Sequence, residues 1–157
     1  MDMALEAGSW WSYVVVFLTA AIPVLEVAVV VPTAVVAGMP PVPTALVAFA
    51  GNACTVVLAT VAGERILAWW QRRRPPREPS GEGRRDRSQR ARELAQRWGV
   101  PGLALLAPIT TGTHIAALAA VATGASRQRV LRWMAAGLAV WTAAAAVAAA
   151  TGLRLLG

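Results

Sequence analysis

The sequence has no lysine, one cysteine and one histidine, and long stretches of it carry no charge. Each scarcity excludes something. Cys54 stands alone, so no intrachain disulfide can form, and its apolar neighbours suit a small packing residue. One histidine, one cysteine and acids scattered along the chain offer no metal-ligand spacing, so neither a metal site nor a cofactor is expected. Glycine-rich phosphate loops, paired carboxylates and activated nucleophiles are missing as well, which argues against an enzyme.

Charge is scarce in blocks. Residues 10–63 contain no basic residue and one acid, Glu26. Residues 99–126 and 133–153 contain no formal charge. Overall, 57% of the residues are hydrophobic and 15% are charged, whereas soluble domains average about 45–50% and about 25%. Uncharged blocks of ~18 residues or more are candidates to cross a bilayer. The chain therefore reads as a multi-pass protein of a cell inner (plasma) membrane. Its acidic start, "MDMALEAGSWW", lacks the positive n-region of a secretory signal. The first apolar segment is thus expected to remain in the mature protein.

Positive charge outweighs negative, fifteen to eight, and has one main location. All fifteen cations are arginine, and residues 71–98 hold ten of them against four acids. A short basic segment between apolar blocks marks a cytoplasmic loop. Membrane lipids with anionic headgroups are its expected partner. No interleaved aromatic pattern points to a nucleic-acid partner. The loop opens on "RRRPPREPSGEG", which proline, glycine and charge should keep irregular. Its end, residues 85–98, predicts a short amphipathic helix with Leu94 and Trp98 one turn apart.

The apolar segments are four: 10–38, 43–63, 99–124 and 130–153. The first and third are interrupted near their middles by proline and hydrogen-bonding residues. Pro23 and Pro32 lie in the first, Pro108 and Gly112 in the third, and these four are expected to make the breaks. The two halves also match at an offset of 86 residues. "AVVAG" at 34–38 corresponds to "AVATG" at 120–124, and Gly51 to Gly137. The expected organisation is a first membrane repeat over 1–70, the basic linker over 71–98, and a second membrane repeat over 99–157.

Topology follows from the arginines. If all four segments crossed, Arg127, Arg129 and Arg132 would lie outside, against the positive-inside tendency. If segments one and three instead enter and return on the same side, every arginine cluster except Arg154 falls on one face. The expected fold class is therefore all-α integral membrane: two inverted repeats, each a re-entrant helical hairpin plus a transmembrane helix. Such broken helices meet near the bilayer midplane in many transporters. The competing arrangement is four full spans that proline merely kinks.

Several residues could carry function. Glu26 is the one acid deep in a segment, where an ionised carboxylate costs about 2.5–3.5 kcal/mol. It is a candidate proton carrier or cation site, or else a neutral hydrogen-bonded strut. His114 could exchange a proton with Glu26 if the hairpin tips meet, or simply be packed. Thr110, Thr111 and Thr113 can cap backbone groups freed by the break, or contact a substrate. Asn52 is the one amide in a span; structural glue is slightly favoured there over substrate contact. Arg127 and Arg129 could touch lipid headgroups, though such residues more often only fix topology. Small-residue faces such as "AAAAVAAATG" leave room for a homodimer.

The order of these parts resembles a known family. The stretch "LEVAVVVPTAVVAGMPPVPTALVAFAGN" is similar to the first half of the putative small multidrug export proteins. It has an acid followed six residues on by proline (Glu26, Pro32) and a Gly-Asn pair (Gly51, Asn52). "RWGVPGLALL" and the bend "APITTGTHIAAL" resemble the second half. This chain departs from that pattern in having Ala28 where the family commonly has arginine, and a bend richer in threonine. The layout also resembles the DedA/VTT-type (SNARE-associated Golgi protein) membrane proteins. That resemblance implies lipid translocation between two facing re-entrant hairpins. The expectation is a small membrane exporter or lipid translocase, acting on an unidentified small molecule or lipid and proton-coupled through Glu26. The alternative is a non-transporting membrane scaffold or assembly protein.

Overall fold

The computed structural model describes residues 8–23, 25, 27–73, 99–110 and 112–156. Its described part is all helical, with no strand. The helices are α1 (Trp10–Ala20), α2 (Val27–Val36), α3 (Pro41–Arg73), α4 (Gly99–Thr110), α5 (Thr113–Ala122) and α6 (Arg127–Leu156). The amphipathic helix expected over 85–98 lies outside the described residues.

Local chemistry sets the boundaries. Ser9 caps α1, its side chain accepting from the Ser12 N–H. After Ala20 the chain turns through Pro23, which has no N–H with which to continue a helix. α2 ends on Gly38, whose φ of 95° closes a Schellman cap: the Gly38 N–H donates to Val35 and the Met39 N–H to Ala34. Gly124, at φ 87°, closes α5 the same way, with Gly124 donating to Val121 and Ala125 to Ala120. These two caps are the "AVVAG" and "AVATG" segments, 86 residues apart.

Two of the expected breaks are elsewhere. Pro32 sits inside α2 and Pro108 inside α4, and neither ends its helix where it stands. A proline in a buried helix is tolerated when the carbonyl it orphans, one turn earlier, is accommodated by a neighbour. For Pro108 that carbonyl belongs to Ala104, and it lies against Gly137 of α6. The interruptions fall instead between Ala20 and Val27, around Pro23, and between Thr110 and Thr113, at Gly112. Gly112 has φ 83°, a value that side-chain-bearing residues rarely adopt.

Helix lengths sort the elements into two kinds. α3 and α6 are long and apolar enough to cross a membrane. They exceed the expected spans 43–63 and 130–153 at both ends, because Pro41 can start a helix and no breaker interrupts the charged turns that follow. The other four have 10–12 residues each, about 15–18 Å, which is short of a bilayer core of about 30 Å.

The short helices pack around the long pair. α1 lies on α3 and α4 on α6, while α2 packs chiefly on α6 and α5 on α3. Backbone comes against backbone at Gly51, where an added Cβ would run into the Phe17 carbonyl oxygen, and at Gly137, where it would run into that of Ala104. Both long helices bury a column of residues at four-residue spacing: Thr44, Ala48, Asn52, Val56 and Thr60 on α3, and Val130, Met134, Leu138 and Thr142 on α6. The first four members of the α3 column are related to those of α6 by the same 86 residues. A 3.7 Å ion pair between Glu64 and Arg127 brings the later part of α3 beside the start of α6.

Candidate functional site

The buried column of α3 carries an amide at its centre. Asn52 is fully buried, and among the described residues neither its side-chain oxygen nor its nitrogen has a hydrogen-bond partner. Interhelical glue would need a partner for this amide, and none of the described residues supplies one. Leaving such a group unsatisfied costs about 1–3 kcal/mol. Its neighbours one turn away belong to different cores. Ala48 packs with α1 and α2, and Val56 with α4 and α5. Asn52 thus stands where the two apolar clusters meet.

One turn on, Thr55 projects from the same side of α3. Its Oγ1 lies 2.9 Å from His114 Nε2. His114 is the second residue of α5, placed there by the break at Gly112, and is 5% exposed. The Thr55 hydroxyl also lies 3.0 Å from the Asn52 carbonyl oxygen and 3.4 Å from that of Gly51. Its single proton has two destinations. Donated to a backbone carbonyl, it leaves the oxygen to accept from His114 Nε2–H. Donated to Nε2, it pairs with the other tautomer of the ring. The pair can therefore hold a proton in either of two arrangements without moving a heavy atom.

The remaining expected residues distribute as follows. Thr113 is buried at the first position of α5, beside His114. Thr110 ends α4. Glu26 and Thr111 lie outside the described residues. Pro23 is exposed in the turn between α1 and α2, and Pro108 is half-buried. Arg127 pairs with Glu64, and Arg129 is exposed. Cys54 is exposed on α3, turned away from the column that holds Asn52.

Thr55 was missing from the expected site. A threonine inside a helix usually bonds to its own backbone, as Thr44, Thr60 and Thr142 do here. The available signal was its position three residues after Asn52 in "GNACT", which sets both on one face.

Away from these residues, α1 and α2 line a groove of about 430 Å³ that includes none of them. Thr19 and Thr33 line it, but their hydroxyls donate to Val15 and Val29 of their own helices. The groove wall is therefore apolar in character.

Residues 26–144, most of the chain, match a family model described as "Putative small multi-drug export protein". The match runs from Glu26 through Asn52, Thr55 and His114 into the second half of α6. No curated protein and no solved structure matches the chain.

Proposed function

The chain belongs to the putative small multi-drug export protein family, and from that premise we propose that it moves a small molecule or lipid across the plasma membrane through a polar site at its centre. The observation that carries this reading is Asn52: a fully buried amide without a partner among the described residues, next to the Thr55–His114 pair. Buried polar groups left unsatisfied are retained at a cost in stability, and a contact made only when substrate or water is present accounts for that cost.

In this reading the two halves are inverted repeats. Recurrence at 86 residues supports it: the caps at Gly38 and Gly124, the close approaches at Gly51 and Gly137, and the matched buried columns. α1–α2 and α4–α5 are re-entrant hairpins, an arrangement favoured by arms too short to cross singly. The layout is the one expected of DedA/VTT-type proteins. Glu26 is the proton- or cation-responsive group of this proposal, and Asn52, Thr55, Thr110, Thr111, Thr113 and His114 are its substrate-contacting residues. The end that carries Arg65, Arg72, Arg73, Arg127 and Arg129, together with the basic segment 71–98, is cytoplasmic by the positive-inside tendency. Arg127 and Arg129 lie at headgroup depth there, and two copies associate through small-residue faces of the long helices.

The test is flux from proteoliposomes across a panel of lipids and cationic drugs. The native chain is expected to move at least one class in a proton-dependent way. Glu26→Gln should remove the proton dependence, and Asn52→Leu should remove the flux. Flux unchanged in both variants would remove Glu26 and Asn52 from the pathway, and no flux of any class from the native chain would favour the scaffold role.

A further inference from the structure

α3 continues past the bilayer. Its 33 residues extend about 50 Å, against a hydrocarbon core of about 30 Å. Glu64 is the first charged residue along it, so residues 65–73 form an extension beyond the apolar part. On this extension Ile66, Trp69, Trp70 and Arg73 follow the i, i+3, i+4, i+7 spacing of a single helix face. All four are exposed, Ile66 at 59%, Trp69 at 48% and Trp70 at 50%. The Arg73 guanidinium lies 4.3 Å above the Trp69 ring. Arg65 and Arg72 are exposed beside this face. The Glu64–Arg127 pair brings the start of α6 to the same end, with exposed Arg129, Arg132 and Trp133. Among the described residues of this end Glu64 is the one acid, and Arg127 faces it.

Cations alone would suit any anion. Here they flank an apolar aromatic stripe, so the complementary partner is an amphiphile with a negative head. Tryptophan settles at the headgroup level for the same reason. A guanidinium stacked on an indole keeps its N–H edge for phosphate. We propose that residues 65–73 form a binding surface for anionic phospholipids. Arg65, Arg72 and Arg73 contact the phosphates, and Ile66, Trp69 and Trp70 lie against the glycerol and upper acyl chain. This surface is separate from the central polar site and does not depend on transport.

The full chain would be placed in neutral phosphatidylcholine nanodiscs. These would contain a small fraction of brominated phosphatidylglycerol or, in parallel, brominated phosphatidylcholine. Tryptophan quenching should be stronger with the anionic lipid. Trp69→Phe/Trp70→Phe should lose that difference. Arg65→Gln/Arg72→Gln/Arg73→Gln should lower the preference roughly fivefold or more, since each arginine near an anionic surface contributes about that factor. The corresponding triple lysine variant should keep most of it, which guards against a folding defect. Soluble glycerol phosphate should not compete. Equal quenching by the two lipids, a preference surviving the glutamine changes, or displacement by glycerol phosphate would overturn the proposal.

Discussion

At the scale of single residues, Asn52 separates stability from function. Its amide makes no hydrogen bond to the described residues while fully buried, so Asn52→Leu removes a desolvation cost and leaves none of them stranded. Thermal unfolding in detergent should show Asn52→Leu to be more stable, by about 1 kcal/mol or more, although the proposed flux is lost. A less stable variant would mean that the amide is satisfied in the native membrane protein. Thr55 behaves oppositely, because its hydroxyl is used. Thr55→Val should cost about 1 kcal/mol, the worth of an ordinary buried hydrogen bond, whereas Thr55→Ser should be close to neutral. The same melts check both. His114 and Asn52 were legible in the sequence because each is a rarity in an apolar block. Thr55 was not, since threonine is common here and nothing local says which one faces another helix.

At the scale of elements, the glycines where helices touch are the sensitive points. Gly51→Ala and Gly137→Ala each drive a methyl group into a backbone carbonyl, of Phe17 and of Ala104. Backbone cannot rotate away as a side chain can, so each should destabilise by about 1–3 kcal/mol, the usual cost of overpacking. Gly152, with nothing within 4 Å of its added Cβ, should accept alanine without loss. Unfolding temperatures of the three variants check the contrast. The existence of the two breaks could be read from Pro23 and Gly112. Their positions relative to Pro32 and Pro108 could not. Whether a proline ends a helix depends on what accommodates the carbonyl one turn back, and that is a tertiary matter. The lengths of α3 and α6 were under-read for a related reason. Charge marks where lipid ends, and a helix can run on into the headgroups.

At the scale of the whole molecule, the sequence repeat has structural counterparts in matching caps, matching close contacts and matching buried columns. The repeat was faint in the letters because alanine, valine and glycine recur everywhere in this chain. What the structure adds is that Gly38 and Gly124 both cap a helix, and Gly51 and Gly137 both sit at a close helix contact. Inversion is the proposal on which the re-entrant reading of the short helices rests. Positions 40 and 126 lie at equivalent places before α3 and α6, 86 residues apart, and both are exposed. The Glu64–Arg127 pair sets these two positions at opposite ends of the long helices. Four full spans would put them on the same side of the membrane. The decisive measurement is labelling of single cysteines at 40 and at 126, in a Cys54→Ala background, with an impermeant thiol reagent applied outside intact cells. Labelling at 40 and protection at 126 is predicted. Equal labelling of the two would contradict the inverted, re-entrant architecture.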